Sequence, residues 1–288
     1  MNWTTLVSCE QLHGALGTPG LVIVDTRFVF AGADPSAGEH SWRQERLPGA
    51  GYAHLDRDLS DHRKPASEGR HPLPQANDFC AVLTRLGITP DSQVVAYDAG
   101  DGAMAAARLW WLMKLLGHAR VAVLDGGFAR WQALAYPTER GEPTAANVKK
   151  AYPMRDFDAA QIADAEQVAA RLHETPGWML DARAPERYRG DVEPIDPVAG
   201  HIPGAFSRPY SANMRDGRFR PPEELRADFS TLLGARAPNE IFLNRGSGVT
   251  PCHNLLAMEY AGLRGARIYA GSWSGWISDP ARPVATGG

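Results

Sequence analysis

The 288-residue chain contains an internal duplication. Four segments of the first half recur in the same order in the second half: 21–27 (LVIVDTR) as 178–183 (WMLDAR), 47–50 (LPGA) as 202–205 (IPGA), 94–100 (VVAYDAG) as 241–246 (IFLNRG), and 124–131 (LDGGFARW) as 269–276 (YAGSWSGW). A single similar pair could arise by chance, but four collinear pairs with slowly drifting spacing indicate a duplicated domain. We therefore expect two copies of one fold, which suits a chain of this length.

Within each copy, short β-branched runs alternate with helical patterns, as is typical of parallel sheets covered by helices. The sequence predicts an α/β fold of two domains, each with a central, mainly parallel sheet flanked by helices. We predict strands at 21–25, 94–97, 121–124, 179–181, 241–243 and 267–269, and helices at 77–86, 103–116, 160–173, 222–233 and 251–261. We predict an N-terminal domain over 1–140, a Pro- and Gly-containing linker over 141–158, and a C-terminal domain over 159–288.

Composition excludes several classes of protein. Apolar residues make up 44% of the chain and charged residues 22%, the balance of a globular protein with a core. The net charge is -3, and the sequence contains no block of like-charged residues. Both observations argue against a nucleic-acid or membrane partner. No apolar run approaches the length of a membrane span, and we see no secretory signal. With three widely spaced cysteines, we expect a reducing compartment, the cytoplasm.

The best candidate for chemistry is the loop 244–250 (NRGSGVT), between a predicted strand and a helix that opens at Pro251. In open parallel sheets, ligands bind beyond the carboxyl ends of the strands. Gly246 and Gly248 allow successive N–H groups to turn inward, which at a helix start favours an anion. Short glycine motifs are weak signals, so an ordinary strand-to-helix turn is the alternative.

The segment from Arg245 onward (RGSGVTPCHNLLAMEYAGLRGARIYAGSWSGWISDPARPVATG) resembles the C-terminal end of tandem-domain rhodaneses, the thiosulfate and 3-mercaptopyruvate sulfurtransferases. The segments 181–190 (DARAPERYRG), 200–205 (GHIPGA) and 124–127 (LDGG) carry the same resemblance, which runs through nearly the whole chain. The resemblance implies transfer of sulfane sulfur from thiosulfate or 3-mercaptopyruvate to cyanide or a thiol acceptor. It also implies a site in the C-terminal domain and a non-catalytic N-terminal loop.

In that family the loop reads CGSGVT or CRKGVT, and its cysteine carries the transferred sulfur as a persulfide. This chain has Arg245 at the cysteine position, and the first copy has Asp98 there. A guanidinium cannot attack sulfur, so we predict that persulfide transfer is lost or very weak. Cys252, in the first turn of the following helix, could serve instead, but its usual status in the family is structural. Cys9 and Cys80 lie in apolar helical patterns and are interpreted as core residues.

The rest of the family's site is partly retained. Ser247 matches the serine of mercaptopyruvate-type loops, where it acts with a histidine and an aspartate whose nearest matches here are His71 and Asp56. Without the resemblance, His71 would be interpreted as a surface-loop histidine. Arg187 matches the arginine that binds the donor's carboxylate or sulfonate, a task that suits a fork of N–H donors. The resemblance therefore implies these catalytic and substrate-binding residues: Arg245 at the nucleophile position, Ser247, His71 and Asp56, with Arg187, Gly246, Gly248, Val249 and Thr250.

Two departures weaken the prediction of substrate preference. Where a second substrate arginine often follows an EP motif, residues 193–196 read EPID, and Gly275 replaces the usual acidic residue of the WSxW segment. Arg183 is expected to form a structural salt bridge, and Trp110 and Trp111 to pack in the core. The histidine spacing and the lack of a CxxC predict no metal site, and we expect no cofactor.

Three interpretations remain open. The chain is a sulfurtransferase by descent with a disabled nucleophile position, a non-catalytic anion-binding or sensing module, or a transferase that works through Cys252. The expected partners are a small anionic sulfur donor and a thiol or cyanide acceptor, with no nucleic acid and no membrane.

Overall fold

The computed structural model describes residues 1–29, 34, 36–103, 105–142 and 150–288. Contacts divide the chain into two compact units. Unit 1 comprises Met1–Asp61, Pro74–Phe157 and Asp216–Phe219, and unit 2 comprises His62–Leu73, Asp158–Arg215 and Arg220–Gly288. Two short segments thus belong to the unit opposite to the one their sequence position suggests.

Helices and strands are interspersed along both halves of the chain. The first half contains β1 (Leu6–Val7), α1 (Cys9–Ala15), β2 (Leu21–Asp25), α2 (Ala37–Gln44), β3 (Gly51–Tyr52), α3 (Leu55–Asp58), α4 (Ala76–Arg85), β4 (Gln93–Tyr97), α5 (Ala106–Leu115), β5 (Val121–Leu124) and α6 (Gly127–Ala133). The second half contains β6 (Ile162–Ala163), α7 (Ala165–Ala170), β7 (Met179–Asp181), α8 (Pro185–Arg189), β8 (Ala205–Ser207), β9 (Met214–Arg215), β10 (Arg218–Phe219), α9 (Pro222–Leu233), β11 (Phe242–Asn244), α10 (Pro251–Tyr260), β12 (Arg267–Tyr269) and α11 (Ser272–Trp276).

Each unit is built on a five-stranded parallel sheet. The strand order is β1-β5-β4-β2-β3 in unit 1 and β6-β12-β11-β7-β8 in unit 2. The orders correspond element by element, with β4 and β11 at the centres, and the described pairs of both sheets are parallel. The predicted fold class is confirmed. Asp98 and Arg245 consequently lie at corresponding places, at the carboxyl end of each central strand.

Buried apolar side chains hold each sheet against its helices. All five residues of β4 are buried, and Trp110 and Trp111 of α5 are fully buried, which confirms their predicted place in a core. In unit 2, a core cluster joins Trp178, Trp273 and Trp276. Burial of a large apolar side chain contributes about 1.5–3 kcal/mol, so these clusters supply much of the stability of each sheet.

One predicted helix is wrong in its first part. Within the predicted helix 160–173, residues Ile162–Ala163 form β6, which pairs in parallel with β12, and helix α7 begins only at Ala165. Asp164 separates the two elements because its side chain accepts a hydrogen bond from the Gln167 amide at 2.8 Å, as an N-cap does. A polar capping residue inside an otherwise helical pattern therefore marks the true start of this helix.

The other predicted elements agree with the structure to within a few residues at their ends. Strand 241–243 is shifted by one residue to Phe242–Asn244, and helix 103–116 is observed as Ala106–Leu115, with position 104 outside the described residues. Of the predicted linker 141–158, positions 143–149 lie outside the described residues. Tyr152 packs into unit 1, where its hydroxyl lies 3.1 Å from His118 Nδ1. The domain bounds stay a prediction.

Candidate functional site

The loop 245–250 connects the central strand β11 to helix α10. Its first two carbonyl oxygens accept hydrogen bonds from α11: Arg245 O from the Trp273 amide at 2.7 Å and Gly246 O from the Ser274 amide at 3.0 Å. Gly248 has φ +76, and a methyl group built on it would lie 2.4 Å from the Ala270 carbonyl oxygen. Backbone contacts with the segment after β12 therefore fix the shape of the loop and require glycine at position 248.

Four amide groups of this loop have no hydrogen-bond acceptor among the described residues. Gly246, Ser247, Val249 and Thr250 are buried, with Ser247 only 3% exposed. Within the described part of the chain, the four amides donate no hydrogen bond. Buried amides of native proteins are almost always paired, so donors left open in a fixed loop are suited to bind a ligand with acceptor oxygens.

Arg245 adds a positive charge to these open donors. Its guanidinium lies 5.7 Å from the ring centroid of Tyr210, and its Nε is buried without a hydrogen-bond partner among the described residues. Burial, together with the charge of Arg187, lowers the pKa of Arg245 to about 10, so the group still carries its charge at neutral pH. A partly desolvated cation without a carboxylate partner in the described structure favours an external anion.

Arg187 and Arg70 are already paired with carboxylates. Arg187 donates through Nη2 to Glu193 Oε1 at 2.6 Å and to Asp196 Oδ2 at 3.3 Å, and Arg70 pairs with the other oxygen of Asp196. A methyl group built on Gly246 would lie 3.7 Å from both Arg187 Nη2 and Asp196 Oδ2, so this ion-pair cluster borders the loop. The sequence does not predict that Arg70 belongs to this cluster, because residue 70 is distant in the chain from residue 196.

Glu193 is the fixed member of the cluster. Its Oε1 also accepts from the amides of Ile195 and Asp196, at 3.1 and 3.0 Å. Burial raises the pKa of Glu193, but the hydrogen bonds from Arg187 and these amides outweigh it and hold the pKa below its ordinary value. The EPID turn is therefore organised by an ionised carboxylate.

Asp98, at the place in unit 1 that corresponds to Arg245, fills its own loop. Its Oδ1 accepts hydrogen bonds from the amides of Gly100 and Gly102, at 3.1 and 2.9 Å. The same position of the fold thus holds an internal anion in unit 1 and a cation beside open amides in unit 2.

The other predicted site residues are divided between the two units. His71 belongs to unit 2, like Ser247, and is 4% exposed, so its interpretation as a surface histidine is wrong. Its ring lies edge-on to His62, with centroids 5.8 Å apart. Between the two described residues His71 and Ser247 there is no hydrogen bond. Asp56 belongs to unit 1, in helix α3. A proton relay through these three residues stays a prediction.

All three cysteines are buried. Cys252 is 0% exposed, and its Sγ donates to the Gly248 carbonyl oxygen at 3.6 Å. Cys9 and Cys80 are 0% and 2% exposed, which confirms them as core residues, and burial raises the pKa of Cys9 to about 11. Arg183 forms the predicted salt bridge, with Nη2 2.8 Å from Asp181 Oδ2.

The described residues contain neither a cluster of metal ligands nor a membrane-spanning helix. In that part of the chain, no three His, Cys, Asp or Glu side chains are grouped as a metal site. No helix among those described combines the length and the apolar character needed to cross a membrane.

Comparison with known proteins identifies the family. The model of the rhodanese-like domain matches residues 8–134 and 164–279. The "Probable 3-mercaptopyruvate sulfurtransferase" of Pseudomonas aeruginosa is 45% identical over 289 residues and is covered completely, as is this chain. The 3-mercaptopyruvate sulfurtransferase of Homo sapiens is 33% identical, with 94% of this chain and 91% of the human protein covered.

Solved structures agree with these relatives. The 3-mercaptopyruvate sulfurtransferase of Leishmania major superposes with a TM-score of 0.81 at 29% identity, covering 94% of this chain and 73% of that chain. SseA from Escherichia coli, described as a 3-mercaptopyruvate sulfotransferase, superposes with a TM-score of 0.77 at 27% identity, covering 94% and 99%. The resemblance predicted from the motifs is confirmed, and the chain belongs to the tandem rhodanese family of 3-mercaptopyruvate and thiosulfate sulfurtransferases.

Proposed function

We propose that the loop 245–250 binds a small anionic sulfur compound, of the thiosulfate or 3-mercaptopyruvate class, without forming a persulfide at position 245. The observation that carries the proposal is the set of buried, open amides beside an unpaired guanidinium. Backbone N–H groups turned into one loop bind anions, and a desolvated cation strengthens that binding. Membership of the family implies a sulfur donor and an acceptor as the natural partners.

The covalent step requires a thiolate, which this loop does not provide. A guanidinium lacks a nucleophilic lone pair at neutral pH and cannot hold a sulfur atom as a persulfide. Cys252 is fully buried in the first turn of α10, and this burial argues against its acting as the substitute nucleophile. We therefore propose a binding or sensing role for the loop in the unmodified chain.

The test combines binding and turnover. We expect titration calorimetry to detect thiosulfate binding, and Arg245→Gln to weaken it by about 10- to 100-fold, because a charge-assisted hydrogen bond contributes about 1.5–3 kcal/mol. Arg236→Gln is the matched control, since this half-buried arginine of unit 2 donates to the Thr175 carbonyl oxygen and lies outside the loop. Equal weakening by both substitutions would point to net charge and contradict the site.

Turnover is measured as thiocyanate formed from cyanide with each donor. We expect no transfer by the parent chain and measurable transfer by Arg245→Cys, because open amides lower the pKa of a thiol at that place. Transfer by the parent that disappears in Cys252→Ser would contradict the proposal and assign the reaction to Cys252.

A further inference from the structure

The EPID turn places a carboxylate of the protein on the arginines that border the loop. Asp196 is 8% exposed and bridges Arg187 and Arg70, one oxygen to each. Arg187 also donates hydrogen bonds to Glu193, so two carboxylates already accept from its guanidinium. Because ion pairs that are largely removed from water are costly to break by removing a partner, an incoming carboxylate must displace one of these at a considerable cost.

The loop itself offers donors without such competition. Arg245 and the amides of Gly246, Ser247, Val249 and Thr250 have no acceptor among the residues that the structure describes. These donors belong to one short loop, so they suit a compact oxyanion that can accept several hydrogen bonds at once. A three-carbon 2-oxo acid held in the loop by its far end would place its carboxylate at the bordering arginines, Arg187 and Arg70.

We propose that Asp196 is a specificity-determining residue that selects between the two classes of donor: it favours compact inorganic oxyanions such as thiosulfate over 2-oxo acids such as 3-mercaptopyruvate. The inference rests on the proposed anion-binding function of the loop. Asp196 acts as an internal carboxylate that neutralises Arg187 and Arg70, and it occupies donors of these arginines that a ligand carboxylate would use. We assign this role to Asp196 and not to Glu193, because Glu193 also accepts hydrogen bonds from two amides of its own turn.

The experiment compares two ligands, thiosulfate and pyruvate, by titration calorimetry on the full chain. For the parent chain we expect pyruvate to bind at least tenfold more weakly than thiosulfate. In Asp196→Asn the amide oxygen can still accept from one arginine but no longer neutralises both, so Arg187 regains charge and a donor for a ligand carboxylate. We expect the ratio of the two dissociation constants to shift at least tenfold toward pyruvate.

Two further variants make the outcome decisive. Asp196→Ser removes the carboxylate with less volume and is expected to shift the ratio in the same direction, so it replaces Asp196→Asn if that variant does not fold. Asp191→Asn is the matched control, because it removes the same charge from an exposed pair with Arg189 and should leave the ratio unchanged.

Different results would contradict the two proposals. An unchanged ratio in both Asp196 variants, or a parent chain that binds pyruvate as tightly as thiosulfate, would overturn the role of Asp196 alone. Absence of thiosulfate binding by the parent chain would overturn the proposed function of the loop, and the specificity role with it.

Discussion

Arg245 and Asp196 set the charge of the site in opposite directions. Arg245 brings a cation that has no carboxylate partner in the described structure, whereas Asp196 cancels part of the charge of Arg187 and Arg70. Two charges within a few ångströms interact by several kcal/mol when water is largely excluded, so each of these side chains can decide which anion binds. We therefore expect a single substitution at either position to change ligand selection.

Gly248 is the residue on which the loop geometry depends. We expect Gly248→Ala to lower the free energy of unfolding by more than about 1 kcal/mol, because φ is positive and the added methyl would collide with the Ala270 carbonyl oxygen. Chemical denaturation measures the change. Gly217→Ala is the control, since Gly217 has φ +72 but open space around it, and a loss as large as that of Gly248→Ala would show that the contact contributes nothing.

At the scale of elements, the two strand-to-helix loops show how one piece of backbone accommodates opposite charges. After β4, the Asp98 carboxylate accepts hydrogen bonds from two amides of its own loop. After β11, four amides of the corresponding loop have no acceptor among the described residues. The loop of unit 1 thus supplies its own acceptor for two of its amides. This difference supports the prediction that only the second loop binds a substrate-like anion.

Asp98 should consequently be important for stability. Removal of the carboxylate in Asp98→Ala leaves the amides of Gly100 and Gly102 without this acceptor, which costs about 1–3 kcal/mol. Asp98→Asn keeps a neutral acceptor and should cost less. Denaturant unfolding of the two variants gives the comparison, and equal stability of Asp98→Ala and the parent chain would rule out a structural role for the carboxylate.

For the whole molecule, each unit contains a buried histidine whose pKa is lowered by burial. His118 contacts Tyr152 and the Ser92 carbonyl oxygen in unit 1, and His201 contacts the Tyr188 carbonyl oxygen in unit 2. The unfolded chain takes up a proton near the ordinary pKa of 6.5, before either folded histidine does. The stabilisation is therefore present above about pH 6.5 and is lost as the pH falls below it.

We expect the free energy of unfolding to fall between pH 7 and pH 5, with each buried histidine adding at most about 1.4 kcal/mol per pH unit. His118→Gln and His201→Gln should each make this dependence shallower, whatever they do to stability at pH 7. Denaturant unfolding at a series of pH values provides the measurement. The exposed His173 is the control, and a parent-like slope in both buried-site variants would contradict the assignment.

By itself, the sequence determined the duplication, the parallel sheets and the family, because these depend on local patterns: β-branched runs, apolar helical faces and motifs confined to single segments. The same local evidence placed Arg245 in the loop after the central strand. It mistook β6 for part of a helix, since a two-residue strand carries almost no periodic signal and is stabilised by its partner β12.

Only the tertiary structure decided which charges meet. The pairing of Arg70 with Asp196, the burial of His71 and the open amides of the loop all depend on segments far apart in the chain. The sequence likewise gave no signal that 62–73 belongs to unit 2 or that 216–219 belongs to unit 1. Ion pairing and burial depend on distances in space, which a linear pattern does not encode. The local backbone preferences that the pattern does encode are enough to predict the fold, but they do not predict which ligand binds.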